Sequence, residues 1–385
     1  MTSSPPLWRR VVDVAGVATE LIGIAASNGP PQLQVLLIPG NPGSARFYTL
    51  QLRQLHDAMA GRADVLSVSH AGQDADDALS ARNGHRLWSL TEQVAHKADV
   101  IRRYCLLPGR PPLVVAGHSI GAHMAVHAVA AVEADGRGLA TEAALPPVLK
   151  VIALFPFFWI DRSQWKIRML SVVAARYEMV GLLAAVLSTL PNFVRTLIVR
   201  AATRGTMDTW AASVTASLLT RHAMRNCMYM GHTEFVDLDR PPAWRALQAL
   251  GRRLHVFGCP EDVWLSARQW SELQERLPGL QATWVPGVTH AYCASGDQCS
   301  IVTALMHPVL TEAVAHRKQW AADVAAHRLP AERTWMKGSH ALNLNSVGTA
   351  ASATLRTEEE DGAADGAAAG GDVSVALLVE AKSRL

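Results

Sequence analysis

At 385 residues the chain can form one large domain or two small ones, and 49% of it is apolar against 18% charged. A formal net charge of +3, with no dense block of Lys and Arg, argues against a nucleic-acid partner. Five cysteines, at 105, 227, 259, 293 and 299, are odd in number and lack CxxC spacing. That pattern fits neither a disulfide framework nor a zinc site and reads as reduced thiols of an intracellular protein. The start, MTSSPPLWRRVV, has no apolar run after its charges, so the chain is not expected to be secreted.

In chain order, residues 11–26 mix apolar and polar residues around two glycines and read as a strand pair. Residues 33–38, LQVLLI, form a β-branched apolar run stopped by Pro39-Gly40, the pattern of a strand buried on both faces. Similar runs follow at 64–69 and 112–116, with helical patterns between them at 48–60 and 90–104. Strands alternating with helices predict a mostly parallel sheet covered on both faces. A further strand is expected at 149–155, after which residues 158–245 read as helical and rich in Met, Trp and Leu. Strands return at 254–257 and 282–285. The predicted architecture is an α/β-hydrolase core, 1–157 and 246–325, with a helical cap at 158–245.

Inside that insertion, residues 179–194 carry no charge but are broken by Pro191 and fall short of the ~20 residues a membrane span needs. Arg195, Arg200 and Arg204 follow. The stretch reads either as a helix lying in a lipid surface or as a buried cap helix.

The strand at 112–116 runs directly into Gly117-His118-Ser119-Ile120-Gly121 and a helix of small residues. A strand-to-helix turn with glycine two before and two after a serine holds that hydroxyl above the sheet edge. Ser119 is therefore the candidate nucleophile, with Gly117, His118 and Gly121 completing its turn. A serine needs a base to take its proton as it attacks. In this fold the acid and then the histidine follow, each after a later strand. His290 falls on the loop after the last predicted strand. Two carboxylates, Glu261 and Asp262, follow the strand before it; Asp262 is preferred, to orient the imidazole. Asp237 and Asp239 would lie at the wrong end of that strand. His118 and His123 read as pocket lining or core rather than as bases. The oxyanion needs amide donors, expected from Ile120 and from the loop Pro39-Gly40-Asn41-Pro42-Gly43. Pro42 has no N–H, which leaves Asn41 as the loop's candidate.

Several phrases resemble the lipid droplet-associated hydrolase family. They are Ile38-Pro39-Gly40-Asn41-Pro42-Gly43 with Phe47-Tyr48, Val68-Ser69-His70-Ala71-Gly72, and Ser89-Leu90 with Gln93-Val94-Ala95-His96-Lys97. Gly117-His118-Ser119-Ile120-Gly121, Leu154-Phe155-Pro156, Tyr229-Met230-Gly231 with Glu234, Gly258 with Asp262 and Trp264, and His290-Ala291 complete the set. The likeness runs from about 33 to 310. It implies a serine hydrolase of lipid esters, sterol esters among them, at a lipid-droplet surface, with Ser119, Asp262 and His290 as its triad. Residues 157–162, FFWIDR, depart from the polar segment of relatives, which leaves the substrate open.

No metal or organic cofactor is expected. The partners expected are a lipid ester and, peripherally, a droplet or membrane surface. After about 340 the composition changes, and residues 357–372 are almost entirely Glu, Asp, Gly and Ala with almost nothing to bury, so 340–385 is expected to be a disordered tail. They end in Ser383-Arg384-Leu385, a variant of the peroxisomal signal that an import receptor reads. The localisation expected is a lipid droplet or a peroxisome-type organelle. The competing functional readings are a catalytically weak lipid-surface protein and an acyl-CoA thioesterase.

Overall fold

The computed structural model describes residues 5–136, 146–315 and 317. The C-terminal tail and its Ser383-Arg384-Leu385 signal lie outside the described residues.

The strand pair at the start is a hairpin, β1 (Trp8–Val14) and β2 (Val17–Ile24), antiparallel to each other. β2 in turn runs antiparallel to β4 (Ala63–Val68), which follows β3 (Leu33–Ile38) and helix α1 (Thr49–Ala58). After α2 (Asp77–Arg82) and α3 (Leu90–Val100) come β5 (Leu113–His118), α4 (Ile120–Ala134) and β6 (Val148–Leu154). The helix expected over 90–104 is α-helical only to Val100, and Ile101–Cys105 close as a wider π turn. Five helices then intervene: α5 (Trp165–Ala174), α6 (Tyr177–Ser188), α7 (Asn192–Ala202), α8 (Thr209–Ser217) and α9 (Arg221–Asp237). Helix α10 (Trp244–Leu250), β7 (Leu254–Gly258), α11 (Ala267–Arg276), β8 (Gln281–Trp284) and α12 (Gly296–Ala315) complete the fold.

The eight strands form one sheet in the order β1-β2-β4-β3-β5-β6-β7-β8, parallel from β4 to β8. Strand β3 explains why its sequence has no polar face: Val35 and Leu37 join the core under α1 and α12, with Leu52, Leu55, Met306 and Leu310. Leu36 and Ile38 face the opposite core, with Val94, Ala98, Met124 and Val132 from α3 and α4. Two apolar layers thus cover both faces, as parallel sheets require. This is the α/β-hydrolase fold.

The uncharged stretch 179–194 is neither wholly buried nor a single helix. Helices α6 and α7 split it at Pro191. Helix α6 buries Val180, Gly181 and Ala184 and leaves Met179, Leu182 and Val186 more than half exposed. Gly181 allows the close approach, since a Cβ there would stand 3.1 Å from Arg225 Cβ on α9. Among the described residues no single helix is long and apolar enough to cross a membrane, while α5 and α6 meet at a 74° bend.

One buried and three half-buried imidazoles couple this fold to pH. Burial holds His96 and His123 well below the ordinary histidine value of 6.5, helped by Lys97 and His127 respectively. Burial likewise lowers His127 and His255 to about 4. Between those values the unfolded chain binds protons that the folded chain refuses, so stability falls as pH falls from 6.5 towards 4. Asp74 and Asp237 work in the opposite sense, because desolvation raises the Asp74 carboxyl to about 8 and that of Asp237 above its ordinary value, and the folded chain keeps those protons. Four imidazoles outweigh these two carboxyls. Urea unfolding should therefore show a lower midpoint at pH 4.5 than at pH 7, and His127→Leu should flatten the slope. A midpoint that does not move over this range contradicts the reading.

Candidate active site

The site is assembled at the C-terminal ends of β5, β7 and β8, with a loop after β3 beside it. At the end of β5 the chain turns so sharply that Ser119 takes φ 56° and ψ −124°. Two glycines make the turn sterically open. A Cβ on Gly117 would stand 2.2 Å from the Gly121 carbonyl oxygen, and one on Gly121 would stand 2.2 Å from that of Pro39. The serine hydroxyl is left at the N-terminus of α4, where the helix dipole favours negative charge.

Ser119 Oγ lies 2.8 Å from His290 Nε2, and His290 Nδ1 lies 2.9 Å from Asp262 Oδ2. Residues 171 and 28 positions apart in the chain meet here in one line. The other oxygen of Asp262 accepts the Trp264 and Leu265 amides at 2.8 and 3.3 Å. Those donors turn Oδ2 toward the imidazole, so Nδ1 carries the proton and Nε2 accepts from the serine. Glu261, the alternative acid, is exposed and has φ 60°, while Asp262 is buried. Burial, with the Asp262 carboxylate second, pushes the Cys259 thiol up, so its Sγ–H faces Asp262 Oδ2 at 3.8 Å as a weak donor. Asp239, another alternative, pairs with Arg162 instead.

His118 points into the core beside this line rather than toward the hydroxyl. Its Nε2 lies 2.8 Å from the His290 carbonyl oxygen and its Nδ1 lies 2.7 Å from Tyr48 Oη. His123 sits further along α4, ring to ring with His127 at 4.2 Å.

The loop after β3 is fixed by four side chains from three separate segments. Tyr48 Oη accepts the Gly40 N–H at 3.1 Å, and Gln73 Oε1 accepts that of Gly43 at 2.6 Å. Ser69 Oγ accepts the Ala45 N–H at 3.0 Å while donating to Glu20 Oε2 at 2.8 Å. Asn41 Nδ2 reaches into the cap, donating to the Cys227 carbonyl at 2.9 Å and to Glu234 Oε1 at 3.0 Å. Among the described residues the Asn41 N–H makes no hydrogen bond. A Cβ on Gly43 would fall 2.1 Å from the His70 ring, which explains the glycine.

Sequence reasoning did not assign roles to Gln73, Tyr48 or Glu234. Gln73 leaves no sequence signal, because its partner is 30 residues away in an irregular loop. Tyr48 and Glu234 did stand within the phrases that carried the family likeness.

An apolar cavity of about 110 Å³ lies against Ser119 and His290. Phe47 and Tyr48 supply its core wall, while Met207, Leu218, Leu219, Met224 and Met228 supply the cap wall. The methionines give that wall unbranched, adaptable surface.

Similar proteins fit this arrangement. The chain is 23% identical over 329 residues to a lipid droplet-associated hydrolase of Gallus gallus, covering 80% of this chain and 97% of that one. It is 21% identical over 282 residues to the Mus musculus lipid droplet-associated hydrolase, covering 70% and 82%. Among solved structures, a thermophilic esterase from Thermogutta terrifontis superposes with a TM-score of 0.51 at 14% identity, over 80% of this chain and 99% of that one. A haloalkane dehalogenase variant from Bradyrhizobium elkanii gives 0.53 at 13% identity, over 82% and 99%. These two share the fold, and their different names show that it does not fix the reaction. The family model described as "Lipid-droplet associated hydrolase" matches residues 31–293. That match takes in the serine turn, the β3 loop, the cap helices and His290, and the chain belongs to the lipid-droplet associated hydrolase family.

Proposed function

We propose that this hydrolase cleaves carboxylic esters of lipids through an acyl-enzyme on Ser119. The observation that carries the reading is the 2.8 Å contact between Ser119 Oγ and His290 Nε2 at the wall of an apolar cavity. Ser119 attacks the ester carbonyl as His290 takes its proton, and Asp262 stabilises the imidazolium without itself accepting the proton. The tetrahedral oxyanion is held by the amides of Ile120 and Asn41. Elimination supports Asn41: the Gly40 and Gly43 amides are engaged by Tyr48 and Gln73, and Pro42 has none. His290 then protonates the departing alcohol, and water, activated by the same imidazole, releases the acid.

Two features support a lipid as substrate and a lipid surface as the place of work. The cavity is lined by Phe47, Leu218, Leu219 and three methionines, which suit an acyl chain. On the cap's outer face, Met179, Leu182 and Val186 of α6 recur at helical spacing and continue into Phe193 and Leu197 of α7, all more than half exposed. Arg200, which donates to Thr209 Oγ1, and Arg204 are exposed at the end of that stretch and give it positive charge. The names of the relatives, lipid droplet-associated hydrolases, agree with a droplet surface. A sterol ester or acylglycerol is the substrate class we favour.

Four measurements test this, the last with a soluble-ester control. A fluorophosphonate probe should label the wild-type chain and not Ser119→Ala, and triglyceride, sterol ester and acyl-CoA assayed side by side should show turnover of the lipid esters. Absence of labelling supports the non-catalytic surface protein, and turnover confined to acyl-CoA supports a thioesterase. Asp262→Asn should cut kcat on the order of 10⁴-fold, because an amide donor facing Nδ1 reverses the imidazole tautomer. The triple change Leu182→Glu, Val186→Glu and Phe193→Glu should weaken partition onto phospholipid-coated triglyceride droplets more than about 100-fold, each buried apolar side chain being worth about 1.5–3 kcal/mol. Turnover of a soluble short-chain ester should be unchanged. Undiminished droplet binding contradicts the surface assignment.

A further inference from the structure

The residue before the serine, His118, has no part in the proton transfers described above, yet it is buried and bonded through both ring nitrogens. A carbonyl oxygen only accepts, so the 2.8 Å contact with the His290 carbonyl makes His118 Nε2 the donor. In the neutral imidazole its Nδ1 is then an acceptor, and the hydrogen bond at 2.7 Å is donated by Tyr48 Oη. Tyr48 Oη in turn accepts the Gly40 N–H at 3.1 Å. The polarity of every link is thereby fixed: Gly40 N–H to Tyr48 Oη–H to His118 Nδ1, then His118 Nε2–H to the His290 carbonyl.

We propose that His118 and Tyr48 are positioning residues that tie the loop bearing His290 to the loop bearing Asn41 through this one buried chain. The inference rests on the reading of Ser119, His290 and Asn41 given above. Its physical reason lies in what else holds His290. The imidazole is restrained by Asp262, and one residue earlier Gln298 Oε1 accepts the Thr289 N–H at 2.9 Å. Between those anchors, His118 is the group that grips the backbone of His290 itself. Without it, a ring within hydrogen-bond reach of Ser119 gains freedom to swing, and catalytic geometry is sensitive to shifts of about 1 Å. At the other end, the bond to Gly40 fixes the peptide unit that precedes the Asn41 amide. Burial pushes the Tyr48 phenol well above its ordinary range, so it keeps the proton that His118 accepts. The edge of the Tyr292 ring, centred 5.0 Å away, and Phe155, 6.4 Å away, wall the imidazole from other orientations.

The test is a set of variants assayed on a soluble short-chain ester and with a fluorophosphonate probe. His118→Leu removes both bonds and should lower kcat and the labelling rate about 100-fold with KM changed less than twofold. His118→Gln keeps an N–H near the former Nε2 and should recover kcat to within about tenfold of wild type. Tyr48→Phe should lower kcat about tenfold, and adding it to His118→Leu should lower it by clearly less than a further tenfold, since the link the two share is already cut and only the Gly40 bond remains to be lost. Thermal unfolding of each variant separates positioning from stability, because a merely structural role would lower the midpoint without the kcat-only pattern or the rescue by Gln. A His118→Leu protein that labels and turns over at the wild-type rate overturns the inference. So does a loss that Gln fails to restore. A wild-type chain that does not label at all overturns instead the reading of Ser119 on which this inference stands.

Discussion

The turn at Ser119 is a steric constraint before it is a chemical one. Strand β5 must pass into α4 while the backbones of residues 117, 121 and 39 crowd within a distance that excludes any side chain. Ser119 itself occupies backbone space that L-residues seldom adopt, at a cost of about 1–3 kcal/mol. Such a conformation persists only where its surroundings determine it completely. Here the Ser119 N–H donates to the Leu154 carbonyl at 3.0 Å, while its own carbonyl accepts from Ala122 at 3.0 Å and Phe157 at 3.1 Å. The neighbouring strand β6 and the segment after it therefore hold the serine as firmly as β5 does. Everything that approaches the hydroxyl, from His290 to the β3 loop, is arranged around a point that cannot move.

The cap is bound to that point through α9 more than through any other helix. Asn226 Oδ1 accepts the Trp88 N–H at 3.1 Å, Thr233 Oγ1 accepts that of Leu90 at 2.9 Å, and Glu234 takes the Asn41 side chain. One helix face thus grips both the segment leading into α3 and the loop beside Ser119. Helices α6 and α7 lie farther out, and their buried residues are few: Val180, Gly181 and Ala184 in one, Val199 in the other. The division is physical. The inner helix makes directional hydrogen bonds that set geometry, and the outer ones present apolar surface whose adhesion is indifferent to exact orientation.

Much of this was legible in the sequence, and the reason differs from part to part. Strands such as 33–38 announce themselves because a parallel strand buried on both faces has no polar face to blur the pattern, and its one polar residue, Gln34, is buried and donates to the Cys105 and Pro111 carbonyls. Gly117, Ser119 and Gly121 were legible because the turn admits nothing larger. His290 and Asp262 could be located because the fold dictates chain order and the strand each must follow, and the structure brings both to Ser119. The break of residues 179–194 at Pro191 was legible, but which of their faces is buried was not. Absence of charge reports that a helix avoids ions, not which of its faces meets protein, and only the docking of α6 on α9 decides that. Nor was the role of His118, which composition describes merely as a histidine beside a serine. Its function depends on two partners, 70 and 172 residues away, that no local pattern connects.

The polar network around the β3 loop follows from a requirement that apolar packing could not meet. An irregular buried loop has no ladder to satisfy its amides, and each one left unpaired costs about 1–3 kcal/mol. Residues 40–45 solve this with side chains drawn from elsewhere: Tyr48, Gln73 and Ser69 each take one N–H. Those side chains are themselves held. Ser69 donates to Glu20, which Arg46 grips from the other side at 3.1 Å, and Lys97 donates to the Ser69 carbonyl and to Gln93 at 3.3 Å each. Gln93 closes the set by exchanging hydrogen bonds with both backbone groups of Ala71. Buried ions are a poor source of stability, and burial lowers Lys97 to about 7. Their value here is selection. By taking the Gly40, Gly43 and Ala45 amides with directional partners, the network selects between the loop's donors and leaves the Asn41 N–H without a partner among the described residues, a choice that an apolar core of equal volume would leave undetermined.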